Sequence, residues 1–429
     1  MTFLGISGPR IKFWTKTLSI FLSYEFITHG ILFITGIVII RNTEKAEYAW
    51  YTIANSMAGG LTNLSMIGIG IALFSVGGRY KNQPTQFGSV LTTVFQYRKL
   101  YALIFGPFIL GSLCYLLIQN ESSYTNTLIL IILLSAVFFI QFRSHLYNNV
   151  LQLVGNYNFP QKIGLGSAIL RLVLVLLLSL FLIQAWSLWV IALVVQAIAF
   201  YVFLKPKAES YFEPNQPPHL ETSNEIKRIT WNTLPNSLSG FIMPQVSLFV
   251  ISLFGSVENV ANLGALSRII LVFGMFHAIN AKVFQPMLSG SNGLQEFTQK
   301  SRLVLIFSIG IALVLFFTIY FFQDLCLLIL GSDYNDLNQP LLLLAGLSAS
   351  SYVLNASNSI LNARGWVNYI WIAPIISLVS MVIGLYIFDY TTLSGAILIS
   401  YVRIPFTALL FTILFIMNLR FEAKKQAES

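Results

Sequence analysis

The chain has 429 residues, of which 56% are hydrophobic and only 10% charged, whereas a soluble globular protein carries about 25% charged residues. A soluble chain of this length would form roughly two or three domains and need far more charge to cover them, so cytosolic and secreted globular classes are excluded. The net charge of +9 would point a soluble protein towards nucleic acid. Here the basic residues are spread over short connections between apolar runs, so no nucleic-acid partner is expected and the bilayer itself is the first partner.

Runs of about 20 apolar residues, the length a helix needs to cross roughly 30 Å of hydrocarbon, lie near 17–40, 51–76, 99–119, 126–148, 162–184, 187–204, 231–254, 260–287, 302–323, 338–361, 368–388 and 391–418. A spanning segment must satisfy its backbone internally, which leaves helices or a closed barrel. Runs such as LRLVLVLLLSLFLIQ at 170–184 lack the alternation a barrel requires. The fold class is therefore an all-α polytopic membrane protein with about 12 transmembrane helices.

Charges inside spans cost about 2.5–3.5 kcal/mol at a helix centre and normally face a partner or a wet cavity. In chain order, the first span carries Glu25 and His29, four residues apart on one face,. They form a candidate ion-coupling pair for H+ or Na+, with ion pairing to an arginine as the competing role. No cleaved signal peptide is expected, because this run is too long for one. The fourth span carries Arg143 and His145; Arg143 lies near a cytoplasmic end, within snorkelling reach. Arg171 lies near the middle of the fifth span.

The seventh span, ITWNTLPNSLSGFIMPQVSLFV, is broken by Pro235, Gly240 and Pro244 and carries Asn232, Asn236 and Gln245, a polar kink unusual for lipid. In the eighth span Arg268 and Lys282 are 14 residues apart, which at about 100° per residue puts them on one face. His277 falls opposite Arg268 and reads as an interior histidine. Arg403 lies deep in the twelfth span. Five fixed positive charges thus stand against one acid, Glu25.

Counting the N-terminus, every second connection and the C-terminus as one side collects 18 of the 25 lysines and arginines there. The opposite loops hold only Arg41 and Lys45. By the positive-inside rule both termini are cytoplasmic.

The sequence also repeats itself. LQLVGNYNF at 151–159 resembles LNARGWVNY at 361–369, FQYRKLYALIF at 95–105 resembles FTQKSRLVLIF at 297–307, and AEYAWYTIANSM at 46–57 resembles VENVANLGALSR at 257–268. The offsets, 210, 202 and 211 residues, are nearly constant and the order is preserved, which predicts two pseudo-symmetric six-helix halves. An even helix number per half makes the repeat parallel. The expected organisation is an N-terminal lobe at 1–204, a Pro-rich cytoplasmic linker at 205–229 and a C-terminal lobe at 230–429. Under the repeat, Glu25 falls opposite Asn236 or Ser237, and interrupted helices at equivalent positions point to a transporter's substrate site.

No Walker sequence, dinucleotide fingerprint, hydrolase elbow or metal-ligand cluster occurs. Neither catalytic residues nor a metal site is expected, and the chain reads as a transporter rather than an enzyme. Asp333 and Asp336 belong to a solvated outer loop, and Cys114 and Cys326 are packing residues.

Two six-helix halves with cytoplasmic termini and a cytoplasmic linker, together with EYAWYTIANSM from Glu47, the glycine-rich IGIGIAL at 67–73, NLGALSRI at 262–269 and FQPMLSG at 284–290, resemble the multidrug/oligosaccharidyl-lipid/polysaccharide (MOP) exporter superfamily and its polysaccharide transporters. Ala49 stands where those members often have glycine. The resemblance implies a Wzx-type flippase that moves undecaprenyl-pyrophosphate-linked oligosaccharide repeat units across the bacterial inner membrane for O-antigen or capsule assembly. Polymerase and chain-length proteins of that pathway are its implied partners. In that reading Arg171, Arg268, Lys282, Arg403 and Arg143 line a cationic central cavity for the anionic head group, and no cofactor is needed beyond a coupling ion. The alternatives are a multidrug antiporter of the same superfamily using Glu25, and an O-antigen polymerase or lipid-linked glycosyltransferase. The basic excess within the spans disfavours the antiporter, and the short outer loops disfavour the enzymes.

Overall fold

An apolar run without alternation has one way to satisfy every backbone N–H and C=O in lipid, the i to i−4 ladder. The computed structural model accordingly is helical throughout, with no strand among the described residues, which are 8–64, 69–180, 186–218, 221–231, 243–291, 293–366 and 369–428. The principal helices are α1 Gly8–Arg41, α2 Lys45–Leu64, α3 Pro84–Gln119, α4 Tyr124–Leu153, α5 Asn158–Leu180, α6 Trp186–Glu209, α7 Val246–Phe254, α8 Val257–Ile279, α9 Gly293–Phe321, α10 Asn338–Arg364, α11 Ile372–Ile387, α12 Leu393–Tyr401 and α13 Arg403–Glu428.

Among the described residues nine helices are long and apolar enough to cross a membrane, with α12 and α13 counted as one span. The other three expected spans fall on α2, on α7 with residues before it that lie outside the described set, and on the shorter α11. The all-α, about twelve-span architecture holds. Large apolar side chains point outward, as with Leu103, Phe108 and Phe321, each more than 70% exposed. That is the pattern of a lipid-facing surface.

Local signals set the helix ends. Ser256 caps α8 by accepting from Asn259 N at 3.2 Å, and Thr392 caps α12 by accepting from Gly395 N at 3.1 Å,. The repeated LQLVGNYNF and LNARGWVNY stretches close α4 and α10 in the same way. Gly155 and Gly365 both take positive φ, 84° and 74°. Asn156 N donates to Leu151 O at 2.8 Å, and Trp366 N donates to Leu361 O at 2.9 Å, the long-range bond of a glycine C-cap. Two π-helical segments, Leu73–Gly77 and Asn280–Phe284, follow the same spacing. Cap and π turn alike recur at an interval matching the sequence repeat.

The contacts divide the chain into two compact units. The first comprises Met1–Val38, Leu61–Pro107 and Leu130–Asn232, and the second Ile39–Gly60, Phe108–Ile129 and Thr233–Ser429. In the first unit Phe87, Val90 and Val94 of α3, Val150 of α4 and Leu204 of α6 form a core with Leu73 and Val76. The linker belongs to this unit and is packed on it rather than free. Glu213 N donates to Pro84 O at 3.2 Å, and Gly88 lies so close to the Glu213 carbonyl that no Cβ would fit. A helix over residues 221–231 places Ile226 in the same core.

In the second unit Phe284, Phe297, Ile360, Trp366 and Phe411 form a core. Trp366 stands edge-on to Phe297 at 5.2 Å and to Phe415 at 5.6 Å, so α9, α10 and α13 meet around one indole.

Candidate functional site

Within the second unit, α8, α10 and α13 each turn a row of small or polar residues inward at helical spacing. On α10 these are Ser348, Ser351, Asn355 and Asn358; across α12 and α13 they are Ser400, Arg403 and Thr407; on α8 they are Gly264, Ser267, Gly274 and His277. Intervals of three, four and seven residues put each set on one helix face. Together they enclose a cavity of about 630 Å³, within the range of small-molecule sites. Leu344, Leu347, Phe273 and Phe411 supply apolar wall.

Among the described lining residues Arg403 carries the only fixed charge, and no aspartate or glutamate is among them. Its Nη2 donates to Ser351 Oγ at 3.3 Å, while Nε has no partner among the described residues. Asn358 Oδ1 and Thr407 Oγ1, also lining the cavity, are likewise buried without a partner. Ser247 and Ser400 share a hydrogen bond at 2.9 Å. His277 stands edge-on to Tyr352 with ring centroids 5.4 Å apart. Behind the lining residue Asn355, Asn280 Nδ2 donates to its Oδ1 at 3.2 Å, where α8 gives way to its π turn.

The other sequence-predicted residues are dispersed. Arg268 is held by tyrosines of α2: its Nε donates to Tyr48 Oη at 3.3 Å, and its guanidinium lies over the Tyr51 ring at 5.7 Å, a cation–π geometry. Lys282 lies in the π turn, its side chain outside the described residues. That turn also breaks the 100° periodicity on which a shared face with Arg268 depends. Pro235 and Asn236 lie outside the described residues, and Pro244 sits in a short 3-10 turn, Met243–Gln245, its side chain undescribed.

In the first unit Arg171 is buried on α5 and donates from Nη1 to Gln196 Oε1 of α6 at 3.3 Å. Arg143 is exposed. Glu25 and His29 do share a face, with Oε2 and Nε2 at 3.6 Å, and Gln161 Nε2 donates to Glu25 Oε1 at 3.3 Å. Among the described residues no group of three or more His, Cys, Asp or Glu side chains could hold a metal ion.

A further feature, in the second unit, has no signal in the sequence. The α1–α2 and α3–α4 connections, both predicted to be outer, are fastened to the C-terminal helices. Lys45 Nζ pairs with Glu258 Oε1 at 2.6 Å. Arg41 donates from Nε to Ile329 O at 2.9 Å and from Nη2 to Leu328 O at 2.8 Å, capping the helix Gln323–Leu330,. Asn120 Nδ2 donates to Ser252 O at 3.0 Å, and Trp50 Nε1 to Asn120 O at 2.8 Å. The two basic residues that break the positive-inside pattern are thus both engaged in this closure. The hydroxyl-lined cavity was missed as well. Its signal, Ser and Asn at three- and four-residue spacing in a span, carries no charge and was outweighed by residues that do.

Helices of this length and apolarity, with a lipid-facing exterior and a polar cavity in the second unit, define the class as a polytopic helical membrane protein. No known family profile matches the chain, nor does any curated protein sequence. The solved structures it is similar to include the Vibrio cholerae MATE transporter VcmN, at TM-score 0.65 and 15% identity, covering 95% of this chain and 97% of that one. An outward-facing MATE multidrug resistance transporter matches at TM-score 0.64 and 18% identity, over 96% and 97%. The lipid II flippase MurJ matches at 0.59 and 15%, over 94% and 87%. MATE transporters and MurJ both belong to the MOP superfamily, and this chain has their fold.

Proposed function

We propose that the chain is a flippase that carries undecaprenyl-pyrophosphate-linked oligosaccharide repeat units from the cytoplasmic to the periplasmic leaflet of the bacterial inner membrane, for O-antigen or capsule assembly. The observation that carries this reading is a polar cavity whose described lining residues include one fixed charge, a guanidinium, and no acid. Such a cavity attracts anions and hydroxyl-rich groups and repels the cations that drug antiporters export. The likeness to MurJ supports it at the level of fold. Alternating access exposes the cavity to each side of the membrane in turn. Arg403 holds the head group, Arg171, Arg143 and Lys282 add to the cationic field, and Arg268 contributes when the outer closure parts. The polyprenyl tail stays in lipid, and proton or sodium movement through Glu25 and His29 supplies the drive. Polymerase and chain-length proteins take up the product.

A second reading, a cation-coupled multidrug antiporter, is favoured by one observation: Glu25 sits on the first helix with His29 and Gln161 around it. Expression in a bacterium lacking its O-unit flippase separates the two. Restored surface polysaccharide that is lost with Arg403→Gln supports the flippase. Glu25-dependent resistance to cationic dyes, without polysaccharide, supports the antiporter.

A further inference from the structure

Four cavity-lining polar atoms lack a partner among the described residues: Thr52 Oγ1, which packs against Gly264; Arg403 Nε, a donor; Asn358 Oδ1, an acceptor; and Thr407 Oγ1, which does either. Leaving such groups buried and unpaired is costly, so their types describe what the cavity is built to receive. Arg403 asks for a planar anionic acceptor, because its Nε and Nη2 edge presents two parallel N–H groups. Ser351 already touches Nη2 from α10 and fixes that edge. Asn358 asks for a donor on the same molecule, and Thr407, one turn beyond Arg403 on α13, takes a hydroxyl.

Charge narrows the choice further. The single guanidinium among the described lining residues neutralises one negative charge, whereas a pyrophosphate carries more than one and would leave the excess facing serines. A carboxylate matches one for one. Asn358 lies seven residues beyond Ser351 on α10, about 10 Å along the axis, so the contacts extend past a single sugar ring.

We propose that this cavity recognises the glycan rather than the pyrophosphate, and that the glycan it takes is acidic: a uronic acid residue with its carboxylate on Arg403 and Ser351, and its own or a neighbouring sugar's hydroxyls on Thr407 and Asn358. The proposal rests on the transport reading above and assigns the substrate class of that site. The pyrophosphate then lies elsewhere along the path, and repeat units without an acidic sugar are poor cargo.

The test uses the full-length chain in nanodiscs, with Cys114 and Cys326 changed to serine and Ser348→Cys as a reporter in the cavity wall. Protection of that thiol from a small alkylating reagent is measured with cellobiouronate, cellobiose and inorganic phosphate. Protection by cellobiouronate at concentrations at least ten-fold lower than cellobiose is expected, with phosphate weaker than cellobiouronate. Arg403→Gln should abolish the difference between the two disaccharides. Asn358→Asp, which sets a negative charge in the same wall, should weaken cellobiouronate alone, providing a second variant should Arg403→Gln fail to fold. Equal protection by both disaccharides, or stronger protection by phosphate, overturns the proposal. Polysaccharide restored in cells despite either result would leave the flippase reading standing and sink only the acidic-glycan assignment.

Discussion

Gly264 of α8 packs directly on Thr52 of α2: a Cβ added at 264 would collide with the Thr52 hydroxyl and its carbons. Both residues also line the cavity, so this backbone-to-side-chain contact closes its wall. Overpacking a tight contact costs about 1–3 kcal/mol. Gly264→Val should therefore push α2 away and loosen the outer closure. With Ser56→Cys as a cavity reporter, labelling by a membrane-impermeant thiol reagent from the outer side is expected to rise several-fold. Unchanged labelling would show that the contact does not hold the cavity shut.

The Lys45–Glu258 pair reinforces the same closure on the surface, where Glu258 is 62% exposed. Exposed pairs contribute about 0.2–1 kcal/mol and are screened by salt. Lys45→Glu should raise outer labelling modestly at low salt, and the reversed pair Lys45→Glu with Glu258→Lys should return it towards the original level. Failure of the double reversal to recover would mean that Lys45 acts through Tyr334, whose ring lies 5.5 Å from its ammonium, rather than through Glu258.

At the opposite end of the second unit, Glu422 ties α13 to the C-terminal end of α10. Its Oε2 accepts from Arg364 Nη2 at 3.0 Å, and its Oε1 from Trp366 Nε1 at 2.8 Å. Glu422→Ala leaves a guanidinium and a buried indole N–H without that acceptor, a loss of roughly 1–3 kcal/mol. Denaturation in mixed micelles should show it, and Glu422→Gln, which still accepts from Trp366, should lose less.

The glycine caps offer a matched pair. Gly155 and Gly365 both hold positive φ, which costs an L-residue about 1–2 kcal/mol. Gly155→Ala and Gly365→Ala should each destabilise by about that amount, and equally, if the two halves use one cap design. A cost at only one position would mean that the shared geometry has lost its role in the other half.

Much of this architecture was legible because lipid enforces it. Apolar runs long enough to span had to be helices, and the LQLVGNYNF and LNARGWVNY match named two glycines that both turn out to cap a helix in the left-handed conformation. Glu25 and His29 share a face as their spacing requires. Side-chain direction was less legible. Arg268 looked like cavity charge, yet Tyr48 and Tyr51, 217 or more residues away in sequence, hold it, and nothing local to Arg268 announces them. The face shared by Arg268 and Lys282 rested on an unbroken helix, and a π turn intervenes. The described cavity wall is uncharged apart from Arg403, so charge within a span points to one of its members and not to the serines and asparagines around it.

Under the proposed function, an anionic lipid-linked glycan crosses through the cavity that Arg403 lines. The direct measurement is translocation of a fluorescent undecaprenyl-pyrophosphate-linked acidic disaccharide in proteoliposomes, read by quenching of the label that reaches the opposite leaflet. The account predicts protein-dependent translocation, slowed at least ten-fold by Arg403→Gln, and no export of a cationic dye by the same vesicles. Equal rates with and without Arg403, or dye export with no movement of the lipid, would contradict it.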